Sequence, residues 1–224
     1  MATIDLGPET PVLVTGAASG IGAACAEALA AVKRDIALWD IDEAGAGQVA
    51  DRIRSEHGVK AEVFAVDVAN LDAIEAAVRE ARSALGSIGG LVHAAGLDGA
   101  VFLESMTPED WARVMDINLR AQVFILQHIL PDLKANPGSA VVGIASINGT
   151  LGNAANPVYS ASKAGLLGVS RALADDFANA GVRINCVSPG QIDTPMLQHS
   201  MNAVPGLRES FEQRILLGRL ADIS

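Results

Sequence analysis

Tyr159 and Lys163 lie four residues apart, the spacing that puts two side chains on one face of a helix. Tyr159 is the only tyrosine in the chain. A phenol titrates near pH 10 and is a poor base at neutral pH, but a neighbouring ammonium favours the phenolate. Each pH unit is about 1.4 kcal/mol, so lowering the value by two or three units takes roughly 3–4 kcal/mol of electrostatic help. One lysine and one further positive charge are of that order. By itself the pair is at least as well explained as ordinary helix surface. Ser146, thirteen residues earlier, changes the balance. Its hydroxyl can donate to a substrate oxygen while the phenol exchanges a proton. Asn118, within Asp116-Ile117-Asn118-Leu119, carries little weight alone, because an amide inside a helix is usually a surface residue or a local bend.

A second constellation lies near the start of the chain. Thr15-Gly16-Ala17-Ala18-Ser19-Gly20-Ile21-Gly22 runs from an apolar segment into a helical one. Glycines there permit a tight turn and close backbone approach to a pyrophosphate, which the helix N-terminus then faces. Asp40 falls twenty residues beyond Gly20, where a carboxylate can accept hydrogen bonds from an adenine-ribose diol. A 2′-phosphate would meet like charge there, and positions 19 and 41 are Ser19 and Ile41 rather than Arg or Lys. NAD(H) is therefore favoured over NADP(H). The plainer alternative is that Asp40 opens a surface turn with Asp42.

The elements that must position these groups alternate. Short apolar runs over 11–15, 35–39, 60–66, 88–94, 140–145 and 182–187 predict strands. Helical patterns cover 20–32, 43–57, 71–85, 108–134 and 157–180, with Thr107-Pro108 as one start signal and Gly181 as one stop signal. Such alternation predicts an α/β fold: a Rossmann-like, doubly wound parallel sheet with helices on both faces, in a single domain over 1–224. Ligands bind outside the carboxyl ends of the strands in such sheets, which directs attention to 16–22, Asp40, Asp67, 94–96, Ser146 and 189–194.

Composition excludes other classes. The 224 residues are 50% hydrophobic and 19% charged, enough for a large core, and disorder is not expected. A net charge of −10 argues against nucleic acid or an anionic membrane as partner. No apolar run approaches the roughly 18 residues of a membrane span, and 1–11 carries Asp5 and Glu9 without the basic start of a signal peptide. Two cysteines, Cys25 and Cys186, read as small buried hydrophobes in a reduced, cytoplasmic setting. No metal site is expected.

Taken together, the chain resembles the short-chain dehydrogenase/reductase family, in its ordinary-length branch. The resemblance covers almost the whole chain. It rests on Gly16, Gly20 and Gly22, Asp67-Val68, Ala95-Gly96, Asn118, Ser146, Tyr159-Ser160-Ala161-Ser162-Lys163, and Pro189-Gly190 followed by Ile192 and Thr194. It implies reversible hydride transfer between NAD(H) and a secondary alcohol or ketone, with Tyr159 as general acid/base. It further implies that Lys163 holds the nicotinamide ribose and lowers the Tyr159 pKa, that Ser146 positions the reacting oxygen, and that Asn118 supports a water leading protons from Lys163 to solvent. Cofactor contacts are expected from Gly16, Ser19, Gly20, Ile21, Gly22, Asp40, Ile41, Asp67, Val68, Ala94, Ala95, Gly96, Tyr159, Lys163, Pro189, Gly190, Ile192 and Thr194. A homo-oligomer, tetramer or dimer, is implied as well.

The chain departs from the family pattern at three places. His93-Ala94 stands where Asn-Asn is usual, with His93 read as structural, and Val32-Lys33-Arg34 lacks the usual glycine before the second strand. Relatives also continue with a further helix and a seventh strand, so a longer parent chain is expected and the sixth strand should form a sheet edge. Residues 191–217, with Met196, Leu197, Met201, Val204, Leu207 and Phe211, read either as a lid or as a helix pair packed on the body. Asn148, Asn153, Gln191 and Met196 are the expected substrate contacts, by position. Two other functions fit the pattern: an NADPH-dependent 3-oxoacyl-thioester reductase, and a dinucleotide sensor without turnover.

Overall fold

The computed structural model describes residues 9–223. Residues 1–8, which make up most of the stretch read as lacking a leader pattern, lie outside them, as does Ser224.

Six strands form one parallel sheet in the order β3-β2-β1-β4-β5-β6. They are β1 (Val12–Thr15), β2 (Ile36–Asp40), β3 (Ala61–Ala65), β4 (Gly90–His93), β5 (Ala140–Ile144) and β6 (Arg183–Val187). Every residue of β1 and β4 is buried, which explains their continuous apolar sequences: both faces are covered. β6 pairs only with β5 and is an edge of the described sheet, as expected. The strand order reverses direction between β1 and β4, so the crevice at their carboxyl ends is the natural ligand position.

Helices cover both faces. On one side α1 (Gly20–Ala31) and α2 (Glu43–His57) pack Ala26, Ala30, Val49 and Ile53 against Val12, Val14, Ile36 and Leu38. On the other side α3 (Leu71–Leu85), α5 (Ala121–Ala135) and α7 (Pro157–Asn179) bring Ile74, Ile125, Ile129 and Phe177 onto Leu13, Trp39, Leu91 and Val141. The helix starts follow their sequence signals. Asp42 accepts from the Gly45 amide, Asn70 from the amides of Asp72 and Ala73, and Thr107 and Asp110 form a reciprocal capping box at α4 (Pro108–Met115). Gly181 takes φ 71°, the left-handed conformation that stops a helix.

Three features differ from expectation. The single helix expected over 108–134 is α4, a π-helical turn over Asp116–Arg120, and then α5. The extra residue in that turn leaves Asn118 fully buried instead of on the surface. Lys33, where a glycine is usual, adopts φ 68°, a left-handed conformation that is costly for a side chain with a Cβ. Its ammonium donates to the His57 carbonyl at 2.6 Å. Finally, residues 191–217 contain α8 (Pro195–Ala203) and α9 (Leu207–Arg214), neither of which buries any residue, unlike a helix pair packed on the body. A short helix, α6 (Asn148–Leu151), links β5 to the loop before α7.

Candidate active site

At the carboxyl end of β1 the chain turns on Gly16 (φ 67°) and enters α1 through Ser19. Gly22 is the tightest point of this turn. A Cβ there would lie 2.0 Å from the Gly16 carbonyl oxygen. A Cβ on Gly16 would lie 2.7 Å from the Ala95 amide nitrogen and 2.9 Å from the Ala94 carbonyl carbon, so the loop rests directly on the segment leaving β4. Thr15 fastens the same junction, because its hydroxyl accepts from the Ala95 amide at 3.1 Å and bonds His93 Nδ1 at 3.0 Å. Across the crevice, a Cβ on Gly20 would lie 3.7 Å from the Thr194 side chain. Thr194 in turn caps α8, accepting from the Leu197 amide at 3.4 Å.

Asp40 ends β2 beside this loop. Its Oδ2 accepts from the Ala18 amide at 2.9 Å and its Oδ1 from the Asp42 amide at 3.0 Å. The surface-turn reading is therefore realised, but it does not exhaust the group. A carboxylate has about four acceptor positions, and two remain. The adjoining Ile41 is exposed. Further along, Val68 is buried, whereas Asp67 is exposed and accepts from the Ala69 amide at 2.9 Å. A dinucleotide fits what is present: a tight turn that needs glycine at Gly16 and Gly22, the N-terminus of α1, and a carboxylate with acceptor capacity at the end of β2.

The chemical groups meet where β4, β5, the π-turn and α7 converge. Lys163 is 4% exposed. Its ammonium donates to the Ile144 carbonyl at 2.7 Å and sits 5.5 Å from the centre of the Tyr159 ring. Burial lowers its pKa to about 8. Asn118 is tied on all sides: its Nδ2 donates to the Leu97 carbonyl at 3.0 Å and the Ser162 hydroxyl at 3.1 Å, and its Oδ1 accepts from the Leu97 amide at 2.9 Å. A Cβ on Gly96 would approach both Asn118 Oδ1 (3.2 Å) and Lys163 Nζ (3.4 Å), so the β4 loop, the π-turn and α7 close on one point.

Ser146, just beyond β5, is buried and accepts from the Asn148 amide at 3.1 Å. Its hydroxyl is near enough to the Tyr159 phenol to lower that group's pKa. The phenol itself titrates above its ordinary value. Burial raises it most, the nearby Ser146 hydroxyl lowers it, and the negative charge of Asp98 raises it again. The depression expected from Lys163 together with a second positive charge is not produced by the chain's own groups.

His93, buried on β4, is held neutral. Burial first, then the charge of Lys163, lower its pKa to about 3, partly offset by the nearby backbone of Ile117 and Asn118. Its Nδ1 bonds the Thr15 hydroxyl at 3.0 Å, in keeping with a structural role, while its buried Nε2 has no hydrogen-bond partner among the described residues.

Of the expected substrate contacts, Asn148 lies next to Ser146 and Met196 is exposed at the first turn of α8. Asn153 is exposed and occupied locally, with its Oδ1 accepting from the Ala155 amide at 3.1 Å. Gln191 accepts, through its carbonyl, from the Ala221 amide at 3.0 Å, where Ile192 and Ala221 form a parallel bridge. A cavity of about 400 Å³ between α8 and α9 is lined by Gln198, Met201, Asn202, Gly206, Arg208 and Glu209, none of them part of the Tyr159 group. Sequence reasoning missed Asp98 and Asn156, which belong to no recognisable motif. The one available signal was that Asp98 follows a strand at the carboxyl end of the sheet.

A doubly wound sheet with a glycine turn at its switch point and a Ser146–Tyr159–Lys163 group beside it defines a dinucleotide-dependent oxidoreductase. The family model described as short chain dehydrogenase matches residues 10–204, and the chain belongs to that family. It is 34% identical over 183 residues to a probable galactose dehydrogenase of Rhizobium meliloti, covering 82% of this chain and 72% of that protein. It is 35% identical over 215 residues to cis-4-hydroxycyclohexanecarboxylate dehydrogenase of Sinomonas cyclohexanicum, covering 95% and 84%. The crystal structure of L-sorbose reductase from Gluconobacter frateurii, complexed with NADPH and L-sorbose, superposes with a TM-score of 0.90 at 27% identity, over 98% of this chain and 88% of that one. Among the described residues no helix is long and apolar enough to cross a membrane.

Proposed function

We propose that this protein interconverts a secondary alcohol and a ketone with NAD(H), using Tyr159 as the general acid/base. The observation that carries this reading is the half-buried Tyr159 phenol, with the Ser146 hydroxyl near enough to act on it and the Lys163 ammonium 5.5 Å from its ring centre. Gly16, Gly20, Gly22 and the first turn of α1 would hold the pyrophosphate, Asp40 the adenine ribose, and 189–194 the nicotinamide end. When bound, the dinucleotide supplies the hydride acceptor or donor. The chain supplies the rest. Ser146 holds the substrate oxygen, and Tyr159 takes its proton or returns it. Lys163, fixed on the Ile144 carbonyl, opposes the burial and the Asp98 charge that raise the phenol's pKa. Asn118 keeps the β4 loop and α7 in register beside it.

Tyr159→Phe tests the chemistry: turnover is lost while the melting shift with nucleotide persists. Retained turnover would refute the role of the phenol, and a loss of nucleotide binding in wild type would leave the glycine turn without its assigned ligand. Asp40 carries the preference for NAD, so Asp40→Ala should relax discrimination against NADP. A second reading, an NADPH-dependent thioester reductase, is favoured by the NADPH in the superposed sorbose reductase and by 32% identity over 209 residues to the 3-oxoacyl-[acyl-carrier-protein] reductase of Chlamydia muridarum. A larger melting shift with NADPH than with NADH would select it. A pure sensor would bind nucleotide and turn over no alcohol.

Residues 191–217 are proposed to act as a lid, since α8 and α9 bury no residue of their own yet Thr194 faces Gly20. The long helices α5 and α7 are proposed as subunit contacts in a dimer or tetramer, which light scattering would size. The free thiols Cys25 and Cys186 suit a reducing cytoplasm.

A further inference from the structure

Asp98 is a carboxylate that the proposed chemistry does not use. It lies on the loop leaving β4, two residues beyond Gly96, and reaches two other segments. Asn156, buried just before α7 and three residues before Tyr159, donates from Nδ2 to the Asp98 carbonyl at 2.7 Å and to its Oδ1. From the lid side, Ser200 of α8 offers its hydroxyl to Oδ2 at 3.4 Å, a long contact. One oxygen is thus fixed by a buried amide, and the other holds only a weak partner. None of the ion pairs among the described residues includes Asp98. Its charge is close enough to act on the Tyr159 phenol. A half-buried carboxylate without a cation, facing both the phenol and the lid, accepts a substrate O–H well and opposes a substrate anion.

We infer that Asp98 selects the substrate: its Oδ2 accepts a hydrogen bond from a second hydroxyl of a neutral polyhydroxylated alcohol or ketone, and its charge rejects carboxylates and phosphorylated thioesters. This rests on the alcohol–ketone reading above and names the class of substrate for that site. Asn156 holds the carboxylate in position, and closure of α8 exchanges the Ser200 contact for the substrate hydroxyl.

The test is steady-state kinetics of wild type and Asp98→Asn with NAD and with NADP. The probes are a neutral polyol, such as sorbitol or galactitol, and a hydroxycarboxylate, such as 3-hydroxybutyrate. Wild type should favour the polyol. Asp98→Asn should lose roughly ten- to a hundred-fold in kcat/KM for the polyol, the loss expected for a hydrogen bond to a charged acceptor, and lose nothing on the hydroxycarboxylate. Equal losses on both probes, or a wild-type preference for the anion, would overturn the inference. Turnover with unchanged selectivity in the variant overturns this inference alone, whereas no turnover of any alcohol by wild type overturns both readings. Folding of the variant is read from the single tyrosine. Its phenolate absorbance should rise at lower pH in Asp98→Asn than in wild type, with Tyr159→Phe as the blank, and an unshifted titration would also count against the inference.

Discussion

Gly22→Ala places a methyl group where the structure has no room for one. The new Cβ would sit 2.0 Å from the Gly16 carbonyl oxygen and 2.7 Å from its carbon. Ordinary contact begins near 3.4 Å, so the turn has to open by 1.4 Å (3.4 − 2.0). The obstructing atoms are backbone and cannot swing aside as a flexible side chain would. Gly16 is itself seated on Ala94 and Ala95, so the displacement is passed into the segment after β4. Forced overpacking of this kind costs about 1–3 kcal/mol. For a chain of this length that is a fall of roughly 2–12 °C in melting temperature.

Gly47→Ala is the matched control. Gly47 lies inside α2, and a Cβ there meets nothing within 4 Å. It should gain about 0.4–1 kcal/mol by restricting the unfolded chain. Calorimetric melts of wild type and both variants, with and without NADH, give the comparison. Nucleotide at a hundred times its dissociation constant adds about 2.7 kcal/mol to wild type and to Gly47→Ala, and that increment should be largely lost in Gly22→Ala. If Gly22→Ala melted with wild type and kept its nucleotide shift, the close approach of Gly22 to Gly16 would not be what shapes the loop. If Gly47→Ala fell equally, the effect would belong to any glycine in a helix.

Two pH dependences follow from burial. The folded chain releases the Lys163 proton near pH 8 and the unfolded chain near 10.5, so between those values the unfolded state binds more protons and stability attributable to Lys163 rises with pH, by roughly 3 kcal/mol in total. Lys163→Met should lack that gain, and parallel melting curves for the two proteins from pH 7.5 to 10.5 would contradict it. His93 behaves likewise in acid. Its folded value near 3 against an ordinary 6.5 means that stability falls as pH drops through that interval. His93→Asn should shift the acid-unfolding midpoint to lower pH, and an unchanged midpoint would place the acid lability elsewhere.

Much of this molecule can be read from its residues. The alternation of short apolar runs with amphipathic helices pointed to six parallel strands, most clearly for β1 and β4, which are covered on both faces and have continuous apolar runs. The glycine turn was legible because a positive φ at Gly16, and backbone contacts at 2.0–2.9 Å at both Gly16 and Gly22, exclude other residues there. The π-turn at 116–120 was not legible. Asp116-Ile117-Asn118-Leu119-Arg120 has ordinary helical composition, and the extra residue is imposed by tertiary contacts of Asn118 with Leu97 and Ser162. Asp98 was hidden for a similar reason: its partners, Asn156 and Ser200, are 58 and 102 residues away. The groups that raise the Tyr159 pKa were not legible, because spacing reveals the lysine on the same helix face but neither the burial nor the carboxylate of Asp98.

The π-turn has a consequence for what the chain can tolerate in length. Each residue of a regular helix turns the chain by about 100°. Deleting one residue from Asp116–Arg120 would let α4 and α5 fuse into one continuous rod, locally a better helix. It would also remove the wide turn that aims Asn118 at Leu97 and Ser162. The segment is thus constrained in its residue count more tightly than in most of its residue identities. A scan of substitutions there would find tolerance where a scan of single deletions would find none.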